Sequence, residues 1–260
     1  LVSNLNKKPD YNYIDYVSVN HDNGFVEINC LVDNTAIIDH YDVMRAVKLD
    51  TSFSDFIKIG DIPFEGASII HYTDEEVNTN QEFYQYRIYP VDTCGVSLYA
   101  PSVFGVPFND TSFAQTILLE AEINIDSSSA FSLDGEYTNT LVFNEYDKWL
   151  GDVSEYRLYR SVNREPYNLI PLYVWDRVSY PDEPLKFVDV VTEFGDGNGR
   201  FCYYIQAIEG PANIYGSTTE GSLSNIACVS QTPILFVPSV FTPNGDEHNE
   251  IFIPVTYFVS

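Results

Sequence analysis

The chain has 260 residues, with 13 Lys and Arg against 38 Asp and Glu, so its formal net charge is −25 at pH 7. So acidic a chain excludes non-specific binding to nucleic acid, which depends on clustered basic residues, and attraction to an anionic membrane surface. Hydrophobic residues make up 45% and aromatic residues 15% of the chain, which is enough to bury a core and argues against disorder.

The ends and the cysteine content bear on location. From Leu1 onwards there is no signal-peptide pattern, and no apolar stretch is long enough to cross a bilayer. We therefore expect no direct membrane insertion, and a fragment of a longer protein whose targeting signal lies elsewhere. The chain has four cysteines, an even number, and is rich in Tyr, Thr and Asn. This combination favours an oxidising, extracellular location.

Alternating apolar and polar residues predict β-strands along the chain. In chain order, the clearest alternating runs cover Phe25–Val32, Phe83–Tyr89, Tyr156–Arg160 and Phe201–Ala207. Clusters of Asp, Asn, Gly and Pro separate these runs, and helical periodicity is nearly absent. This pattern favours an all-β protein built from β-sandwiches.

Three short motifs recur in the same order at nearly one offset. The pairs are His40–Arg45 with Glu155–Arg160 (160 − 45 = 115), Tyr72–Asp74 with Phe187–Asp189 (187 − 72 = 115), and Tyr84–Pro90 with Phe201–Ala207 (201 − 84 = 117). Such a recurrence predicts two copies of one module, each close to the ~100 residues of an immunoglobulin-type sandwich.

The predicted domain boundaries follow from this repeat. Residues 1–11 form a linker or the end of a preceding repeat, residues 12–109 a first sandwich, and residues 110–233 a second. The boundary is placed where Pro107–Ser112 interrupts the alternation. Residues 234–260 are interpreted as the incomplete start of a further β-domain.

The alternation Tyr84, Tyr86, Ile88, Pro90 resembles the penultimate strand of fibronectin type III modules. The resemblance implies tandem immunoglobulin- or fibronectin III-like sandwiches, with Tyr84 as a tyrosine corner whose hydroxyl bonds back to the backbone. In the second copy Phe201 replaces that tyrosine and loses the hydrogen bond. The tryptophan that the family carries in its second strand is absent from both copies.

The four cysteines lack the CxxC spacing typical of zinc and thioredoxin sites. Cys202 is expected at the start of the penultimate strand of the second sandwich and Cys228 in its last strand. Their midpoint lies in the turn-rich segment Gly210–Gly216. A symmetric hairpin places them opposite each other, so we hypothesise a Cys202–Cys228 disulfide, with two buried thiols as the alternative. A Cys30–Cys94 bridge across the sheets is a second hypothesis.

The sequence contains no strong catalytic signature. It has no HExxH, GxSxG, Walker or kinase motif. Gly195–Gly199 precedes a predicted strand and is interpreted as the loop that leads into the penultimate strand of the second sandwich. The acidic run Asp74–Glu76 is compatible with paired catalytic carboxylates, and a solvated turn is the alternative. We expect no catalytic residue and no enzymatic activity within this chain.

Three other features have a structural and a functional interpretation. Trp149 and Trp175 are candidates for sugar-stacking platforms, and the alternative is a core or intermodule position. Asn109–Thr111 is an N-glycosylation triplet at the expected module junction. The many carboxylates raise the hypothesis of calcium between modules, because Ca²⁺ takes several oxygen ligands and relieves self-repulsion. No other cofactor is expected.

The most specific motif lies in the C-terminal segment. Its positions are Pro238, Phe241, Thr242, Pro243, Asn244, Gly245, Asp246, Asn249 and Phe252. They resemble the opening of the gliding-motility-associated C-terminal domain, a type B sorting signal of the type IX secretion system at the ends of large Bacteroidetes surface proteins. Glu247 and Glu250 stand where that family has Gly and Asp.

From the residues alone, Pro243–Asp246 predicts a tight turn, with Pro at position i+1 and Asn at i+2. Asp246, Asn249 and Glu250 supply oxygens that either satisfy turn amides or hold a Ca²⁺. The segment is expected to be poorly packed on its own, or held by a partner through strand addition.

The resemblance implies the C-terminal stalk and sorting region of a large secreted protein attached to the outer membrane, of the gliding or adhesin type. Type IX secretion or outer-membrane attachment proteins would be the partners that recognise residues 234–260. Two alternatives are a secreted hydrolase whose catalytic domain lies upstream, and a carbohydrate-binding protein that uses Tyr and Trp surfaces.

Overall fold

The computed structural model describes residues 7–49, 52–98, 113–124, 136–147, 149–216, 221–237 and 251–259. The chain folds into two antiparallel β-sandwiches followed by a short hairpin. Within the described residues, the single helical element is a 3₁₀ turn at Thr192–Phe194. None of the described residues forms a helix able to span a membrane.

The described residues of the first module form seven strands in two sheets. The strands are β1 (Asn12–Val19), β2 (Val26–Val32), β3 (His40–Val47), β4 (Ile57–Pro63), β5 (Ile69–Asp74), β6 (Tyr84–Val91) and β7 (Phe113–Gln115). One sheet has the order β1-β2-β5 and the other β4-β3-β6-β7. Burial alternates along β2 and β6, as expected for strands that bury one face against the opposite sheet.

The second module repeats this topology. Its strands are β8 (Leu119–Asn124), β9 (Thr138–Phe143), β10 (Val153–Val162), β11 (Tyr173–Asp176), β12 (Lys186–Val190), β13 (Arg200–Glu209), β14 (Ser222–Leu223) and β15 (Ala227–Ser230). One sheet has the order β12-β9-β8, and the other has the order β11-β10-β13, with both β14 and β15 pairing to β13. The chain is therefore a tandem of β-sandwiches, and the prediction of fold class is confirmed.

The first module extends further along the chain than the sequence predicts. Strand β7 lies beyond residue 109, and its Gln115 pairs with Gln85 of β6. It therefore closes the first sheet, and the boundary lies between Gln115 and Leu119. A three-residue strand is too short to show an alternation, so the sequence pattern misses it.

The tyrosine corner that the fibronectin III resemblance implies is present in the first module. Tyr84 is buried, and its hydroxyl accepts a hydrogen bond from the Asn78 backbone N–H at 2.8 Å and donates one to Glu82 at 2.7 Å. In the second module, Trp175 of β11 is fully buried and packs edge-to-face on Phe143. A tryptophan from the edge strand thus fills the core, although the second strand carries none.

The recurring sequence motifs meet in space as one buried cluster in each module. In the first, Arg45 donates twice to the Asp74 carboxylate, and the Tyr86 hydroxyl donates to the same group at 2.9 Å. In the second, Arg160, Asp189 and Tyr203 make the same three hydrogen bonds, and the side chains lie at equivalent strand positions. Each cluster ties the two sheets of its sandwich together.

Candidate functional site

A short hairpin follows the second sandwich. Strand β16 (Ile234–Phe236) pairs with β17 (Val255–Tyr257), and Ile234 lies opposite Tyr257. Ile234 lies 115 residues after Leu119, the first residue of β8 (234 − 119 = 115), and β8 forms the same kind of antiparallel pair with β9. The hairpin therefore continues the repeat at the position of the first two strands of a sandwich.

The segment is anchored on the second module by Phe258, whose ring is buried. The ring packs edge-to-face on Tyr137 and Phe201, and the Phe258 N–H donates to the Gly195 carbonyl at 2.6 Å. The expectation that the segment packs poorly on its own therefore does not hold at Phe258, whereas most of its other described apolar side chains are exposed. No local sequence pattern identifies Phe258, and the one available signal is its place one repeat after Phe143, the end of β9.

The glycines of the loop between β12 and β13 make this contact possible. A Cβ atom on Gly195 would clash with the Tyr257 ring, and one on Gly199 would lie 2.8 Å from the Phe258 Cβ. Gly199 also has φ +72°, which favours glycine. Gly195–Gly199 is thus the loop that the sequence predicts, and it receives the C-terminal segment.

Most positions of the sorting motif lie outside the described residues: Pro238, Phe241, Thr242, Pro243, Asn244, Gly245, Asp246 and Asn249. The hypothetical calcium ligand Glu250 lies there as well. Phe252 is described and is about half exposed. Around it, the hairpin presents apolar side chains to solvent, with Leu235, Ile251 and Ile253 each more than half exposed.

A second set of contacts joins the two sandwiches along β1. Nearly every residue of β1 is buried, because one face packs in its own core and the other against the second module. The Trp149 indole N–H donates to the Asp15 carbonyl, and the Val17 N–H donates to the Tyr146 hydroxyl at 3.0 Å. Trp149 therefore has the intermodule position that the sequence analysis gave as the alternative to sugar stacking.

Strand β14 and the segment that connects the two modules complete this interface. The Ser222 hydroxyl donates to the Val17 carbonyl at 2.6 Å, and the Leu223 N–H donates to the Ser18 hydroxyl at 3.0 Å. Between the modules, Thr116 and Ile117 are buried, and Thr116 exchanges backbone and side-chain hydrogen bonds with Tyr84. The connection is a packed element rather than a solvated linker.

Two buried carboxylates lie in the interface. Glu209 is within 3.3 Å of the Tyr13 hydroxyl and accepts a hydrogen bond from Asn213 at 2.8 Å. Desolvation and then the charge of Glu209 raise the pKa of Asp15 above its ordinary value of 3.8, while a hydrogen bond from Asn29 opposes this. Burial likewise raises the pKa of Tyr13. The Asp15 carboxylate of the interface thus costs free energy when it is charged.

The cysteines divide into one bonded pair and two thiols. Cys202 and Cys228 lie directly opposite each other on β13 and β15 and form a disulfide, with their Cα atoms 4.1 Å apart. The hypothetical Cys30–Cys94 bridge is not formed. Cys30 points into the core from β2, where burial raises its pKa, whereas Cys94 is exposed in the turn after β6.

The histidines and acidic runs show no catalytic arrangement in the described residues. Nε2 of His21 lies 2.8 Å from the Ser224 carbonyl oxygen, and burial lowers its pKa. His40 lies between Asp39 and Asp42, whose hydrogen bonds raise its pKa. No group of three or more His, Cys, Asp or Glu among the described residues is arranged to hold a metal ion.

Comparisons with families, curated proteins and solved structures give fold-level similarity of low strength. No family model matches the chain, and no curated protein matches it. Among solved structures, a tetra-tandem repeat in the extending region of a large adhesion protein is similar over 89% of this chain, at 11% identity and a TM-score of 0.25. The chain spans 52% of that protein's chain, and so low a TM-score carries no conclusion about function.

Proposed function

We propose that the chain is a rigid, non-enzymatic stalk of a secreted cell-surface protein of the gliding or adhesin type, and that residues 234–260 are its sorting segment. In this proposal the type IX secretion system exports the protein, and secretion or outer-membrane attachment proteins recognise the segment. The protein then stands on the outside of the cell.

The stalk role rests on packed contacts at both ends of the second module. Trp149 and Tyr146 fix it to β1 of the first module, and Phe258 fixes the following hairpin to it. Since each connection is packed and hydrogen-bonded, each unit is held in a fixed orientation relative to the next. A spacer needs this property to hold a distant domain away from the cell surface.

The sorting role rests on the motif around Pro238–Phe252 and on the exposed apolar side chains of the hairpin beside it. Two-stranded hairpins are at best marginally stable in water, and this one presents apolar side chains to solvent. Such a surface suits recognition by another protein. The type IX assignment rests on the motif resemblance.

Surface display tests the sorting role. The whole chain, fused behind a periplasm-targeted reporter, is expressed in a Bacteroidetes strain with a type IX system and in a strain that lacks it. Replacing Asn244, Gly245 and Asp246 by Ala is expected to abolish reporter activity on the cell surface. The control Ile214→Ala, at a side chain that is 80% exposed in the second module, should leave display unchanged. Equal display of both variants would contradict the proposal.

The carbohydrate-binding alternative is not favoured, because Trp149 and Trp175 are both buried. Calcium stays a hypothesis for Asp246, Asn249 and Glu250, which lie outside the described residues. Its measurement is calorimetric titration of the whole chain with Ca²⁺, with Mg²⁺ at equal ionic strength as the control for screening. Heat that is specific to Ca²⁺ supports a site, and equal responses to both ions contradict it.

A further inference from the structure

Strand β11 forms an outer edge of the second module. Strand β11 is the last strand of its sheet, and in the part of the chain that the structure describes it pairs with β10 alone. An edge strand presents unpaired backbone N–H and C=O groups that can template pairing with another chain. Natural proteins commonly protect such edges with charged side chains or proline.

The first module supplies an internal comparison, because β4 occupies the same edge there. Asp42 pairs with Asp61 in the first module, and Arg157, 115 residues later (157 − 42 = 115), pairs with Val174 in the second. By the same register, Pro63 of β4 corresponds to Asp176 of β11.

Strand β4 carries lysine and proline protection that strand β11 lacks. Lys58 bridges to Asp42 and Asp61 along β4, the strand ends in Pro63, and the Tyr72 hydroxyl reaches across to the Ile59 carbonyl. Strand β11 reads Tyr-Val-Trp-Asp, with no Lys and no Pro. Its outward Val174 is 39% exposed.

Exposed apolar side chains continue this edge in both directions. A groove of about 750 Å³ is formed by the loop before β11, where Leu169 is 96% and Ile170 79% exposed. A second groove, of about 590 Å³, lies between β11 and the loop after it, where Tyr180 is 65% exposed. Val174 lines the second groove, and we call strand β11 and the two grooves together the β11 edge.

The rim of the β11 edge is acidic. Asp176, Asp182 and Glu183 line the second groove, and Glu183 accepts a hydrogen bond from the Tyr173 hydroxyl at 2.7 Å. Arg177 is adjacent but is paired with Glu145. The whole chain carries −25, so a second copy would be repelled here, whereas a basic segment would be attracted.

We propose that the β11 edge binds an extended segment of a partner protein in which apolar and basic residues alternate. The segment adds to the sheet as a further strand beside β11. Its apolar side chains cover Val174 and the two grooves, and its basic side chains meet the acidic rim. This interaction is distinct from the sorting role of residues 234–260.

A designed peptide tests the proposal on the whole chain. The probe is a fluorescein-labelled, terminally capped (Lys-Val)₅ peptide, with (Lys-Ser)₅ as a probe of equal charge and no apolar face, and binding is followed by fluorescence anisotropy. Val174→Lys should weaken (Lys-Val)₅ binding by about tenfold or more, because it places a charge at the centre of the interface. The matched control Ile57→Lys, on the protected β4 edge, should leave the affinity unchanged.

Hydrogen exchange locates the bound peptide. Saturating (Lys-Val)₅ is expected to slow amide exchange in residues 172–177, because strand addition pairs the outward amides of β11. Equal affinity for (Lys-Ser)₅, or equal loss of binding in Val174→Lys and Ile57→Lys, would show simple charge attraction and overturn the proposal. A dimer of the chain alone in analytical ultracentrifugation that Val174→Lys abolishes would overturn it in favour of self-association.

Discussion

At the scale of single residues, the repeated buried cluster explains why the two modules share sequence motifs. Asp74 and Asp189 are almost fully buried, and each is held by an arginine and a tyrosine. Removing one partner from such a pair leaves an uncompensated charge in the interior and costs about 3–5 kcal/mol. The spacing of the three motifs therefore preserves a link between sheets.

The tyrosine corner gives a direct residue-scale prediction. Tyr84→Phe should lower the free energy of unfolding by about 1 kcal/mol, because the buried hydroxyl no longer accepts from the Asn78 N–H. Urea denaturation of the whole chain is the measurement. The reference is Phe201→Tyr at the equivalent position of the second module, where no such bond exists in the native protein. An unchanged stability of Tyr84→Phe would show that the corner contributes nothing.

The acidic interface gives a pH-dependent prediction at Asp15. Because burial raises its folded pKa above the ordinary value of 3.8, the charged form carries a penalty that is complete above the folded pKa and absent below the unfolded one. Asp15→Asn should therefore stabilise the protein at pH 7, and the gain should shrink as the pH falls towards 4.

Thermal unfolding of wild type and Asp15→Asn across this range is the measurement. Exposed Asp10→Asn serves as the control for the change in net charge. A gain at Asp15 that is the same at every pH, or that grows on acidification, would contradict the assignment of the penalty to the buried carboxylate.

Some residue roles could be predicted from the sequence, and others could not. The resemblance to fibronectin type III modules implied the tyrosine corner at Tyr84, and the hairpin symmetry placed Cys202 opposite Cys228. For Trp149 and Trp175 the sequence left a choice between sugar stacking and a core or intermodule position, because that choice depends on how two sheets and two modules meet. The Cys30–Cys94 hypothesis was wrong because Cys94 lies past the end of β6, on the surface.

At the scale of elements, Phe258 holds the C-terminal hairpin on the second module, with the Tyr257 ring beside it on Tyr137. Phe258→Ala should loosen this docking, because truncating a buried phenylalanine costs about 3–5 kcal/mol. Limited proteolysis within residues 251–259 is the measurement, and faster cleavage is expected. Val259→Ala, at a side chain that is 47% exposed, is the control.

A variant on the receiving side separates docking from hairpin formation. Gly195→Ala leaves the hairpin sequence intact but places a methyl group against the Tyr257 ring. It should accelerate cleavage in the same way. Protection of the hairpin in both variants would show that Phe258 is not its anchor.

The strands themselves were largely predictable, since β2, β6, β10 and β13 have one polar and one apolar face. The ends of the strands were less predictable. Strand β7 was missed because it is three residues long, and the docking of Phe258 was missed because it joins segments far apart in sequence. Such contacts are set by tertiary packing and not by periodicity.

At the scale of the whole molecule, the charge of −25 sits on a chain whose modules are packed against each other. The buried interface along β1 keeps the two modules aligned despite this charge. The repeat predicted two modules but not this interface, since the polar residues Asp15 and Ser18 of β1 are buried only because a second module covers them.

The most direct test of the central claim, that the two sandwiches form one rigid unit, is a distance distribution between them. Nitroxide labels on the exposed Cys94 and on Val188→Cys of β12 report the separation by pulsed electron paramagnetic resonance, while Cys30 is buried and does not react. A rigid unit gives one narrow distance distribution in the native protein, and Trp149→Ala should broaden it. A broad distribution before that substitution would contradict it.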